Sequence, residues 1–117
     1  MATYSKQLLS ASTNGKGIKV AATATAGTLI HTAIAGTSAY DEVWLYANNT
    51  SGATVKLTLE WGEATAPDGN IEINIGAEGT GLILISPGLL LQNGLTIKAF
   101  ASSANVINIF GYVNRIA

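Results

Sequence analysis

Residues 43–61 read VWLYANNTSGATVKLTLEW, and this stretch decides the fold class. In its second half, Lys56, Thr58 and Glu60 alternate with large apolar residues. A period of two is that of a β-strand with one face in the core and one in water, so we expect these three polar side chains to be solvated. In its first half, residues 43–48 are apolar or aromatic at successive positions, which indicates a strand covered on both faces.

The same two patterns recur along the rest of the chain. Alternation marks residues 71–75 and 95–99, apolar runs mark 82–85 and 106–113, and weaker strands cover 18–22 and 28–34. About eight short strands predict a single all-β domain of two packed antiparallel sheets, most simply a jelly roll. A period of two does not encode strand order, so an immunoglobulin-like sandwich stays open. We place this domain at residues 17–117, after an extended N-terminal arm over residues 1–16.

Clusters of glycine, proline and asparagine separate the strands. They lie at residues 48–52, 67–69, 87–88 and 93–94. Such residues supply positive φ or preset φ, so they predict turns between antiparallel hairpin strands, with Pro87-Gly88 closing the strand before it. The small-residue run AATATAGT at residues 21–28 predicts a slim strand and loop that lets another backbone approach closely.

The low charge of the chain restricts its partners. Its net charge is −1, and only 11% of its residues are charged, against about 25% in an average domain. Nucleic acid and anionic membranes bind clustered basic groups, which are missing here, so we expect neither as a partner. We also find no apolar run long enough to span a bilayer and no secretory signal, so we expect synthesis in a cytoplasm. Uncharged surface of this kind suggests cover by other protein subunits, although secreted domains also have it.

The residues that carry chemistry are few. The chain has no cysteine and one histidine, His31, so we predict no metal site and no cofactor. Asp41 and Glu42 are adjacent, so on a strand they point to opposite faces, and Glu60 and Glu63 straddle a strand end. We expect these carboxylates to be solvated and predict no enzyme; glycoside hydrolysis is the one reaction that such a residue set could support.

The aromatic residues are the remaining candidates. Trp61 continues an apolar series and is most simply core. Trp44 and Tyr46 share a face opposite Val43 and Leu45, so one of the two sets must be covered by something else or exposed. If exposed, the aromatic set would form a sugar-stacking platform or a protein-contact patch; otherwise it packs under a neighbouring loop.

Two strings, DEVWLYANNTSGATVKLTLEWG at 41–62 and ISPGLLLQNGLTIKAFASSANVINIFGYVNRI at 85–116, resemble a family of small structural proteins of tailed bacteriophages. The resemblance covers residues 28–117 and includes no catalytic motif. It implies a capsid decoration, or cement, protein: a β-sandwich or jelly roll that binds the major capsid protein on the outside of the head, commonly as a homotrimer. Such a protein stabilises the assembled head by bridging capsomers.

For the contact surfaces of such a protein we single out seven residues. The arm would lie across a neighbouring subunit, and aromatic and arginine side chains are enriched at interfaces. The candidates are Tyr4, Leu8 and Leu9 in the arm, with Trp44, Tyr46, Tyr112 and Arg115 in the domain. A carbohydrate-binding or host-attachment module of the virion is the alternative function, and core packing or a free tail is the alternative role for these residues.

Overall fold

The computed structural model describes residues 2–117 as nine β-strands joined by turns and loops. The strands are β1 (Tyr4–Leu8), β2 (Ile18–Lys19), β3 (Thr28–Thr32), β4 (Tyr40–Asn49), β5 (Val55–Trp61), β6 (Asn70–Ile75), β7 (Ile83–Leu91), β8 (Thr96–Ala101) and β9 (Ile107–Ile116). Within these residues no helix is long and apolar enough to cross a membrane.

The strands form two antiparallel sheets. In sheet A, β1 and β2 both pair with β9, which is followed by β4 and β7; in sheet B the order is β3, β8, β5, β6. Since β1 and β2 lie end to end along β9, they act as two halves of one interrupted edge strand. The chain then alternates between the sheets at every step except from β5 to β6, which is the connectivity of a jelly roll. The predicted two-sheet, all-β fold is confirmed, and the strand order excludes the immunoglobulin-like alternative.

The turns predicted at residues 48–52, 67–69 and 93–94 are present, but the turn predicted at Pro87-Gly88, which was expected to close the strand before it, is wrong. Only the turn around residues 67–69 joins neighbouring strands, β5 and β6. At Asn93 and Gly94 the φ angles are 65° and 67°, yet the flanking strands β7 and β8 belong to different sheets. Pro87-Gly88 lies within β7, where the register against β4 shifts. The hairpins expected at residues 48–52 and 93–94 are therefore wrong, because turn residues fix a local reversal and not the partner of the strand that follows.

The core lies between the sheets. Burial alternates along the whole of β4, with Val43, Leu45 and Ala47 fully enclosed and Trp44 and Tyr46 on the opposite side, as predicted. Trp61 packs against the core from its edge, also as predicted. Burial of these apolar side chains is the main source of stability. The fully enclosed core side chains contributed by the rest of the chain are Val20, Ile30, Leu57, Leu59, Ile75, Ile97, Ala99, Ile107, Ile109 and Val113.

The N-terminal segment is extended where the arm was predicted, and it lies along the sandwich. Its residues 4–8 pair with β9 and expose every side chain. The next residue, Leu9, turns into the core and is 1% exposed, and Ser10 bonds to β3 through its backbone and its hydroxyl group. Met1 lies outside the described residues.

Part of the outer face of sheet B, around Glu60, is covered by the loop between β2 and β3, and this overturns one expectation. Glu60 is 1% exposed; its carboxylate accepts hydrogen bonds from the Gly27 amide at 2.6 Å and the Thr25 hydroxyl at 2.8 Å. Thr58 is also buried. The prediction that Glu60 and Thr58 are solvated is wrong. Alternation with a period of two shows that these side chains point away from the core, but it does not show whether another part of the chain covers them. The close approach predicted for the small-residue run is confirmed: a Cβ on Gly27 would lie 2.5 Å from the carbonyl oxygen of Ala99.

Candidate binding surface

Sheet A carries an aromatic surface on the side that faces away from the core. The register of β4 and β9 sets Trp44 opposite Tyr112 and Tyr46 opposite Phe110. Each pair alternates with buried residues, so all four rings point outward. On the flanking strands, Leu8 lies opposite Tyr112 and Leu84 lies opposite Tyr46. We call this surface the aromatic face; it consists of Leu8, Trp44, Tyr46, Leu84, Phe110 and Tyr112.

The rings of the aromatic face are held in fixed positions by their neighbours. The Trp44 and Tyr112 rings stack with their planes 14° apart and their centroids 6.5 Å apart. The Lys6 ammonium lies 4.9 Å from the Tyr112 centroid, and because β1 and β4 flank β9, it covers the other side of that ring. A Cβ on Gly88 would come within 3.0 Å of the Trp44 ring, and one on Gly17 within 2.7 Å of the Phe110 ring. These glycines leave the space that the two rings occupy.

A carboxylate anchors the edge of the tryptophan. Glu42 Oε1 accepts hydrogen bonds from Trp44 Nε1 at 2.8 Å and from Asn114 Nδ2 at 3.0 Å. Because both donors favour the ionised form, with the Asn114 bond the stronger influence, the pKa of Glu42 is lowered. The indole N–H is therefore already satisfied within the chain. What the surface offers a partner is mostly apolar and aromatic carbon.

Half of the aromatic face is open to solvent. Leu8 is 56% exposed, Leu84 47% and Phe110 36%, while the other three rings, those of Trp44, Tyr46 and Tyr112, are half-buried. A contiguous apolar patch of this kind on a small protein marks a site of interaction more often than isolated exposed residues do.

The seven predicted contact residues divide into two groups. Leu8, Trp44, Tyr46 and Tyr112 meet on the aromatic face, and Tyr4 lies on the same side at the corner of the sheet, opposite Ile116. Leu9 and Arg115 point into the sandwich instead. Sequence reasoning missed Phe110 and Leu84. Phe110 could have been found, because it lies two residues before Tyr112 and so shares its face, whereas Leu84 depends on a strand pairing that no local pattern encodes.

Arg115 belongs to a buried charged cluster. Its Nε and Nη2 donate to Asp41 Oδ1 at 2.8 Å and Oδ2 at 3.1 Å. Oδ2 also accepts from His31 Nε2 at 2.8 Å and from the Ile34 amide at 3.2 Å. His31 and Asp41 are 1% and 0% exposed, so the expected solvation of Asp41 is wrong. Burial raises the pKa of Asp41, but the hydrogen bonds and charges of Arg115 and His31 outweigh it, and the pKa lies below its ordinary value; the same contact raises the pKa of Arg115.

The cluster is arranged to fasten strands together. The Ser10 backbone amide donates to His31 Nδ1 at 3.0 Å, so Nδ1 carries no proton and Nε2–H donates to Asp41. The Ser10 hydroxyl is occupied by the Thr32 amide at 2.7 Å. The imidazole is therefore held at both nitrogens and is closed to solvent. A serine, a histidine and an aspartate come together here, but the hydroxyl is not hydrogen-bonded to the imidazole, as a nucleophile and its base would be.

An apolar groove of about 280 Å³ lies where β4 begins and β7 ends. It is lined by Tyr40, Leu90, Leu91, Gln92 and Leu95. Its lining contains no carboxylate, imidazole or amine, so it offers apolar contacts and two polar groups. Among residues 2–117, no group of three or more potential metal-ligating side chains comes together.

No family model, no curated protein and no solved structure matches this chain.

Proposed function

We propose that this chain is a non-enzymatic structural protein of a tailed-phage virion, a decoration protein that binds the outside of the assembled head. The observation that carries the proposal is the aromatic face: four rings and two leucines on one side of sheet A, of which Leu8, Leu84 and Phe110 are exposed. The sequence resemblance to phage structural proteins supplies the partner, a major capsid protein, and the expectation of a homotrimer.

The size of sheet A suits a protein partner. The ten residues of β4 span about 33 Å, and four strands side by side span about 19 Å. The face therefore offers about 600 Å², close to the roughly 800 Å² that each partner contributes to a standard interface. Two charged groups on this side of sheet A, Lys6 and Glu42, already contact aromatic rings of the chain, whereas Lys19 on β2 is exposed.

The mechanism of stabilisation would be thermodynamic. A protein that binds the assembled shell but not free capsid subunits shifts the equilibrium toward the shell by mass action. Many copies of the protein each bridge neighbouring subunits, so contacts that are weak individually give a large total stabilisation of the shell. This requires a pre-formed, rigid surface, and the stacked Trp44 and Tyr112 rings over the sheet provide one.

Carbohydrate binding, the alternative, would need aromatic faces open for sugar stacking. Lys6 covers one side of Tyr112 and Trp44 covers the other, so this ring presents its edge. The Tyr112 ring and the exposed leucine side chains are better suited to a protein, whose side chains can pack against them.

The test measures binding to empty, expanded heads that lack this protein, by co-sedimentation of the purified chain. Leu84→Glu places a charge on the aromatic face and is expected to weaken binding at least about tenfold, since burying an unpaired charge is costly. Leu29→Glu is the matched control, because Leu29 is a similarly exposed leucine, at 40%, on sheet B; it should bind as wild type does. Equal loss in both variants, or no binding of the wild type, would overturn the proposal, and binding to host glycans instead would favour the alternative.

A further inference from the structure

Three of the four sheet edges are unsuited to a strand that would also reach the aromatic face. On the outer edge of sheet A, β7 contains Pro87 and shifts register twice. In sheet B, β3 shifts register between Leu29 and His31, and β6 is regular but lies on the sheet that does not carry the aromatic face. Bulges and prolines are devices by which proteins stop an edge strand from pairing with another chain.

The remaining edge, β1, is regular and open. Thr3 and Ala117 exchange two backbone hydrogen bonds, at 2.6 and 2.9 Å, so by the antiparallel pattern the amides that face β9 belong to every second residue after Thr3. The N–H and C=O groups of Tyr4, Lys6 and Leu8 consequently point away from the sheet, and none of them has a backbone partner within residues 2–117. The strand contains no proline, glycine or register shift.

We propose that β1 accepts an extended segment of the partner protein as an additional strand of sheet A. This inference rests on the proposed function and specifies how the capsid subunit is held. A main chain added here would satisfy the free groups of β1. It would also lie next to Leu8, which already borders Tyr112 on the aromatic face, so one partner would contact the edge and the face together.

The charge on β1 indicates the chemistry of that segment. Lys6 forms no ion pair within residues 2–117. If a second copy of this chain added its own β1 with Lys6 at the centre, two lysines would lie directly opposite each other, which is unfavourable. An acidic side chain opposite Lys6 is favourable for the same reason. A strand of the partner protein with a carboxylate at this position therefore fits the edge better than a second copy paired about Lys6 does.

The backbone direction at residue 6 permits a clean test. Because its N–H points away from β9, Lys6→Pro removes a donor from the open edge without removing a bond to β9. Lys6→Ala is the matched control, since it loses the same ammonium group and keeps the N–H. Binding to empty heads should be about tenfold weaker for Lys6→Pro than for Lys6→Ala, with equal unfolding midpoints. Lys6→Glu should bind more weakly than Lys6→Ala, because it sets two carboxylates against each other.

Hydrogen exchange of the wild-type protein gives a readout that needs no substitution. The amides of Tyr4, Lys6 and Leu8 should exchange quickly in the free protein and become protected on the head. Equal binding of Lys6→Pro and Lys6→Ala, or unchanged exchange of these amides on bound protein, overturns strand addition; if Leu84→Glu still loses binding, the proposed function stands without it. Binding of Lys6→Glu at or above the Lys6→Ala level overturns the acidic partner strand. Failure of the wild type to bind heads overturns both proposals.

Discussion

Replacing Asp41 by asparagine should destabilise the protein severely although it changes one atom. The aspartate accepts four hydrogen bonds, two from Arg115, one from His31 and one from a backbone amide. Asparagine has one oxygen, so its NH₂ group must face hydrogen-bond donors. The Arg115 side chain, which is only 30% exposed, also loses the carboxylate that neutralises its charge. Removing one partner of a buried ion pair costs about 3–5 kcal/mol.

That cost is a large part of the stability of a small domain, which is about 5–15 kcal/mol. The entropy of unfolding of a 117-residue chain is about 0.25 kcal/mol/K, so the melting temperature should fall by about 12–20 °C. Circular dichroism at 218 nm during heating, with urea unfolding at 25 °C, measures both quantities.

The neighbouring residue supplies the control. Glu42 is also a carboxylate on β4 with two hydrogen bonds, but it lies on the solvent side of the sheet. Glu42→Gln should therefore leave the unfolding midpoint close to that of the wild type. If Asp41→Asn costs less than about 1 kcal/mol, or if the two variants lose equal stability, the buried cluster does not hold the strands together and the reasoning fails.

Two further predictions concern stability. The pKa of Asp41 is lower in the folded protein than its ordinary value of 3.8, so the unfolded chain binds the proton first as the pH falls. The free energy of unfolding should therefore decline from about pH 5 downward through the folded pKa. Urea unfolding at a series of pH values should show a smaller decline for Asp41→Asn than for the wild type. Leu9→Ala should lower the free energy of unfolding by about 2–5 kcal/mol because Leu9 is 1% exposed. Leu8→Ala is the control and should have little effect, because Leu8 is 56% exposed. Equal losses in urea unfolding would mean that the N-terminal segment does not pack against the sandwich as described.

The sequence predicted the elements of this fold better than their partners. Every strand of four or more residues except β1 lies on a predicted one, because alternation and turn residues act within a few positions. Alternation also predicted that Trp44 and Tyr46 share a face opposite Val43 and Leu45, although it did not predict which of the two faces lies in the core. Pairing is not local, so the turn at Asn93 gave a correct reversal and a wrong hairpin, and Leu84 was not linked to Tyr46.

The buried charges were beyond prediction for the same reason. Asp41 meets His31 ten residues earlier in the chain and Arg115 seventy-four residues later, and only the tertiary fold brings these groups together. Arg115 was accordingly expected at a protein contact. Glu60 alternates as a solvated residue should, but a loop from another part of the chain closes over it. Local patterns give the direction of a side chain and do not tell what lies there.

The central position of β9 in sheet A determines when that sheet can form during synthesis. β9 pairs with β1, β2 and β4, and it is synthesised after all three of them because it follows them in the chain. Only the β5–β6 hairpin has both partners close together in the chain, so it is the one pairing available early. Until residues 107–116 emerge, β1 and β4 have no strand between them, and the nascent chain exposes apolar strand surface that chaperones would bind.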